Sequence, residues 1–226
     1  MTSQGEVSAQ AWRQESYATA WAAGDAWTDL LTVPWRVATE LVAHEDSPRL
    51  VVDVASGPGG FLASFLKRFP LARGVWSDAS EPMLDLARQR LAPYDGRVDF
   101  VLADMTSLSG RVPGGADVIL TSRATHHLDA SGLIDFYRQT ARHLAPGGWL
   151  INLDHTNAGN QWDERYRAVR PLFNTPGVTA APSHPHNYPL PSIADHLAGY
   201  EEAGITDVDV SWRVFQTCLF AGRTPS

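Results

Sequence analysis

The chain has 226 residues, 44% hydrophobic and 19% charged, enough for one α/β domain with a full core and too apolar for wholesale disorder. With 18 Lys plus Arg against 25 Asp plus Glu, a net charge of −7 and no dense basic run, nucleic acid is excluded as an expected partner. The lone cysteine, Cys218, excludes an intrachain disulfide; within "TCLFAG" it reads as a small core residue, as suits a reducing cytosol.

The first residues, "MTSQGEVSAQAW", lack the basic start and apolar core of a targeting signal, and no apolar run approaches the length of a bilayer span. A soluble, cytoplasmic protein is expected, with no membrane partner. Two helical stretches follow, "SAQAWRQESYATAWAAGDAWTDLL" and, after Val33, "PWRVATELVAHE", whose Pro34 suits a first helical turn. Residues 1–48 are thus read as a helical cap. Its tryptophans, Trp12, Trp21 and Trp27, favour core packing over a lid, with Trp21 and Trp27 the candidates for contact with a substrate.

From Arg49 onward short apolar runs alternate with helical patterns: "RLVVDVA", "GFLASFLKRF", "ARGVWSD", "EPMLDLARQRL", "RVDFVLAD", "ADVILTS", "LIDFYRQTARHL" and "GWLINLD". That rhythm predicts right-handed crossovers and a parallel sheet covered on both faces, a single domain over 1–226. After Asp154 a stretch dense in Pro, His, Asn and Ser, 155–191, reads as an insertion or lid over a site. The remainder predicts a helix from Ser192, a stop at Gly204, and two antiparallel strands joined by a tight turn near Val210 to Arg213. No repeat or low-complexity tract is present.

Open parallel sheets bind ligands at the carboxyl ends of their strands, and here those ends are polar: Asp53 with a glycine loop, Asp78, Asp104, "SRATHH", then Asp154 and His155. In "VVDVASGPGGFL", Gly57, Gly59 and Gly60 let the backbone turn sharply and approach a ligand. A nicotinamide fingerprint would need a further glycine at Leu62, and Asp53 would repel a pyrophosphate. A cationic ligand is not repelled. Asp78, 18 residues beyond Gly60, is placed to accept the hydroxyls of a ribose.

On these residues the chain resembles the class I S-adenosylmethionine-dependent methyltransferases of small-molecule type. "VVDVASGPGGF", "GVWSDASEPML", "LADM" and "LAPGGWLINLD" match that family's motifs between Leu50 and Asp154, with Ala55 standing where glycine is frequent. The resemblance implies a three-layer, Rossmann-like seven-stranded sheet, mostly parallel with the last strand antiparallel, and S-adenosylmethionine as cofactor. It implies further that Asp53 neighbours the methionine amino group and that Gly57 and Gly59 meet the methionine portion by backbone. Asp78 would hold the ribose, with Ala79 beside it. Met83 would pack near the adenine, a core role being as good a reading. Asp104 would accept from the adenine amine while the Met105 amide meets a ring nitrogen. Ser122 and Arg123 complete the cofactor set, Arg123 toward a carboxylate or in an exposed ion pair.

Methyl transfer to a hydroxyl or amine needs in-line approach, exclusion of water and a proton sink, and histidine is the natural base near neutral pH. His155 and His126 are the catalytic candidates. For His127 a packed role at a helix start is favoured over catalysis, with substrate contact as its functional reading; His184, His186 and Tyr188 lie in the insertion and are candidates for substrate binding. A metal held by His184, His186 and His155 or Asp154 is disfavoured, since the loop fixes no geometry. The expected activity is methylation of a small molecule by a monomer or homodimer. A cyclase-like, non-methylating reaction on the same scaffold and a non-catalytic cofactor-binding subunit are the alternatives.

Overall fold

The computed structural model describes residues 14–16, 19–20, 28–173 and 189–226. Trp12, Trp21, Trp27, His184, His186 and Tyr188 lie outside the described residues.

Helix α1, Thr28–Glu45, precedes strand β1, Leu50–Val54; α2, Gly60–Arg68, leads to β2, Arg73–Asp78; and α3, Glu81–Leu91, leads to β3, Val98–Leu102. Next come β4, Ala116–Ser122, a 3-10 turn at Thr125–His127, α4, Ala130–Ala141, and β5, Leu144–His155. The chain closes with α5, Asn160–Val169, α6, Ile193–Glu202, and the strands β6, Asp207–Val214, and β7, Thr217–Arg223.

These strands form one seven-stranded sheet in the order β3-β2-β1-β4-β5-β7-β6. β1 pairs in parallel with both β2 and β4, so the crossovers change direction between β1 and β4, which opens a crevice at the carboxyl ends there. β7 runs antiparallel to both β5 and β6. On one face, buried residues of α1, α2 and α3, among them Ala38, Phe61, Phe65 and Met83, pack on Val51, Val118, Leu120 and Ile151. On the other, Leu133, Phe136 and Tyr137 of α4 and Tyr200 of α6 cover Val52, Val54, Ile119 and Leu150. The three layers and the strand directions are those expected from the alternating pattern.

Local signals behave as chemistry dictates. Ser80 caps α3 by accepting from the Met83 amide at 3.3 Å, Asp129 caps α4 through the Gly132 amide at 2.7 Å, and Ser192 with Asp195 forms a reciprocal capping box on α6. Gly204, at φ 80°, follows the end of α6.

Three details differ from expectation. Pro34 lies inside α1 rather than in its first turn; the helix begins earlier and forgoes the hydrogen bond that a proline nitrogen cannot donate. β5 begins at Leu144 rather than with the run "GWLINLD", and Pro146–Gly148 is a bulge within it: Leu144 pairs with Ala116 and Trp149 with Val118. A side chain on Gly148 would press its Cβ to 2.9 Å from the Ala145 carbonyl oxygen. The β6–β7 turn falls at Phe215 and Gln216, Phe215 taking φ 55°. The predicted turn region instead holds a register shift between Val210 and Trp212, where Ser211 is an extra residue in the ladder.

Candidate active site

The loop after β1 is shaped by three left-handed residues, Ala55, Gly57 and Gly59, at φ 52°, 53° and 80°. Ala55 stands where a glycine would be free of strain, at a cost of about 1 kcal/mol. The loop is clamped to β2: the Trp76 indole donates to the Gly57 carbonyl at 2.8 Å and the Ser56 amide to the Ser77 carbonyl at 3.0 Å. The glycines are not equivalent. A Cβ on Gly59 would meet Leu91 at 2.9 Å and one on Gly60 the Trp35 ring at 2.6 Å, whereas one on Gly57 meets nothing within 4 Å. Gly59 and Gly60 serve packing, and Gly57 faces open space.

Asp53 is fully buried beneath this loop. Its Oδ2 accepts from the Ser56 hydroxyl at 2.6 Å and the Leu62 amide at 3.1 Å, while Oδ1 has no partner among the described residues. Burial raises its pKa to about 7, against those two donors. Asp78 ends β2; Oδ2 accepts from the Gly57 amide at 2.8 Å and Oδ1 from the Ser80 amide at 2.9 Å. Burial raises it as well, with the charge of Asp104 adding to the effect. Asp78 thus shapes the glycine loop.

Asp104 lies two residues past β3, exposed, its Oδ1 accepting from the Thr106 amide at 2.9 Å and hydroxyl at 2.7 Å. Ala79 is exposed beside Asp78, and Met105 packs half-buried on the α4 side. Met83 is 2% exposed within the α1–α3 core. Ser122 ends β4, and its hydroxyl has no partner among the described residues. Arg123 adopts φ 54° and its amide donates to the Leu153 carbonyl at 2.8 Å, tying the ends of β4 and β5 together.

At those two strand ends the histidines gather. His126 is 3% exposed, and its Nδ1 lies 2.5 Å from Oδ1 of the fully buried Asp154. Asp154 also accepts from the Thr125 hydroxyl, the His126 amide at 3.0 Å and the His155 amide at 2.7 Å. Burial alone would raise this carboxyl, but the charge and hydrogen bond of His126 outweigh it and hold Asp154 well below the usual carboxylate range. The rings of His127 and His155 lie 4.2 and 5.4 Å from that of His126, centroid to centroid. His155 also reaches Thr217 of β7, Nδ1 to Oγ1 at 3.1 Å. Burial lowers its pKa to about 3, and the charges of His126, Arg123 and Arg170 act in the same direction.

The insertion is tied at its base by the Asn157 amide, which donates to the Pro191 carbonyl at 2.9 Å. Within it α5 leans on the β6–β7 turn: Gln216 donates to Asp163 at 2.8 Å and Tyr166 stacks edge-on to Phe215 at 5.5 Å. Among the described residues, no three His, Cys, Asp or Glu side chains are grouped to hold a metal ion, and no helix is long and apolar enough to cross a membrane.

Sequence reasoning named Asp154 as a strand end and as an alternative ligand of a disfavoured metal, not as the partner of His126, and missed Thr125, Asn152, Tyr137 and Trp76. Asn152, a polar residue inside the apolar run "WLINLD", was the available signal.

A family profile described as a methyltransferase domain matches residues 51–148. The chain is 30% identical over 192 residues to trans-aconitate 2-methyltransferase of Methylobacterium nodulans, covering 83% of this chain and 69% of that protein. It is 36% identical over 104 residues to 3-amino-4-hydroxybenzoate 4-O-methyltransferase of Streptomyces cremeus, covering 46% of this chain and 28% of that one. In structure it is similar to an O-methyltransferase family protein from Burkholderia thailandensis, with TM-score 0.65 and 23% identity, covering 90% of this chain and 60% of that one. The chain belongs to the class I S-adenosylmethionine-dependent methyltransferases. For several curated relatives it matches about half of their length or less.

Proposed function

We propose that this chain methylates an oxygen of a small anionic molecule, using S-adenosylmethionine, with His126 accepting the proton. The observation that carries this reading is the buried His126–Asp154 pair, 2.5 Å apart at the ends of β4 and β5, beside the glycine loop. With Nδ1 bonded to Asp154, the carboxylate orients the imidazole and stabilises the imidazolium that forms when Nε2 takes a proton.

The loop fits the cofactor. The open side of Gly57 admits a ligand against the backbone, and the unpartnered Asp53 Oδ1 suits a buried ammonium. Asp53 would hold the amino group, Asp78 the ribose hydroxyls, and Asp104 with the Met105 amide the adenine. When bound, S-adenosylmethionine supplies an electrophilic sulfonium methyl. The protein then has to exclude water, align the acceptor and remove its proton.

An anionic acceptor is supported by the charges of Arg123 and Arg170, which act on His155 against that of Asp154. Two relatives are also named for acids, trans-aconitate and an amino-hydroxybenzoate. His155, held neutral, suits substrate contact better than proton abstraction.

The test is turnover of hydroxybenzoates and tricarboxylates with methyl-labelled cofactor. Labelled product and S-adenosylhomocysteine should form in equal amounts, and His126→Asn should lower kcat by about 100- to 10,000-fold. Substrate consumed without S-adenosylhomocysteine would favour a non-methylating reaction. Full activity of His126→Asn would remove the base from His126.

A further inference from the structure

Behind Asp154 a buried chain of polar side chains runs away from the site. Asn152, on the same face of β5 two residues earlier, donates from Nδ2 to the Thr125 hydroxyl at 3.0 Å and to the Tyr137 hydroxyl at 2.9 Å. Tyr137 meets His196 Nδ1 at 2.7 Å, and Thr125 bonds Asp154. Asn152, Thr125, Tyr137 and His196 are all fully buried.

With Nδ2 of Asn152 toward both hydroxyls, Oδ1 has no partner among the described residues, and the bonds to Thr125 take their direction from counting protons. Asn152 Nδ2 can only donate, so Thr125 Oγ1 accepts there and its single proton goes to Asp154. Likewise Tyr137 accepts from Asn152, and its hydroxyl meets His196 Nδ1 with donor and acceptor set by the imidazole tautomer. Rotating the amide would turn Oδ1 toward Thr125 and draw that proton off Asp154, leaving a buried carboxylate short of a donor and two amide hydrogens unpaired.

We infer that Asn152 is a positioning residue for the His126–Asp154 pair, acting through the Thr125 hydroxyl to set how strongly Asp154 binds the His126 proton. This rests on the reading of His126 as proton acceptor. A carboxylate that loses a donor concentrates its charge on the donors that remain, so His126 would hold its proton more tightly. The other groups that bear on the pair are His155 on β5, His127 in the 3-10 turn, Arg123 after β4, Arg170 after α5, Tyr137 on α4 and His196 on α6. None of them is altered by a change at Asn152 except Tyr137 and, through it, His196.

The experiment is a nitrogen-detected NMR titration of the His126 ring in the cofactor-free protein, with the pH profile of kcat/KM alongside. Asn152→Leu and Thr125→Val should each move the His126 titration, and the acidic limb of the profile, upward by roughly half a pH unit or more, and Thr125→Ser should restore both. If Asn152→Leu does not fold, Thr125→Val against Thr125→Ser decides the case. An unmoved His126 titration in the folded variants overturns the inference. A moved titration in a protein whose His126→Asn variant keeps full activity overturns only the reading of His126 as base.

Discussion

Asp53 has one oxygen satisfied by Ser56 and Leu62 and one facing no donor among the described residues. Buried in that state it holds its proton up to about pH 7, and a cationic ligand that replaces the proton must drive it out. Cofactor affinity should therefore rise with pH toward about 7 and then level, with a proton released on binding below that point. Calorimetry in buffers of different ionisation enthalpy measures the release. Asp53→Asn should abolish both the pH dependence and the release, and a wild-type profile in that variant would detach Asp53 from the amino group. At this scale the sequence pointed to Asp53 and Gly57 only when the glycine loop was read with Asp78, Asp104 and the family resemblance. It was silent on Asp154 as the partner of His126, because a pair separated by 28 residues leaves no local pattern.

The loop between β1 and α2 sets an open glycine and two packed ones within four residues. Gly60→Ala would force a methyl toward the Trp35 ring and Arg90, and should cost about 1–3 kcal/mol of stability in a chemical melt. Gly57→Ala should fold with a loss of about 1 kcal/mol from its left-handed backbone, yet bind cofactor at least tenfold more weakly, since its methyl would occupy the open space. Equal cofactor affinity in Gly57→Ala and wild type would refute that assignment. Element identities were legible because capping residues and apolar periods are local. The misplaced β6–β7 turn shows the limit: Phe215 is bulky, carries no turn chemistry, and takes φ 55° because the hairpin and the Tyr166 ring fix it there. The bulge at Ser211 likewise depends on pairing with β7, which no window of β6 contains.

Across the whole molecule, acid stability depends on groups that burial holds away from their ordinary charge. His155 and His196 fall from 6.5 to about 3 and about 4, and Asp53 rises from 3.8 to about 7. Near pH 5 the unfolded chain therefore binds two protons that the folded histidines do not, and releases one that folded Asp53 keeps. Of these groups, then, one net proton is taken up on unfolding, so their contribution to stability falls on acidification by roughly 1.4 kcal/mol per pH unit. Urea melts at pH 5, 6 and 7 should show His196→Gln flattening this slope and Asp53→Asn steepening it; parallel slopes in all three proteins would refute the assignment. The parallel sheet was legible because strands alternating with helices leave few topologies, and its seven strands and antiparallel end were implied by the family resemblance. The acceptor was not legible, since no local pattern in the chain names it.

The place of β7 bears on how the protein is made. This strand is the last in sequence yet sits inside the sheet, between β5 and β6, and because it runs antiparallel its first residue, Thr217, arrives beside His155. While the chain is being synthesised, β5 keeps an unpaired edge until residues 217–223 emerge from the ribosome. The hydrogen-bonded support of His155 from Thr217 therefore forms only after the glycine loop has been synthesised.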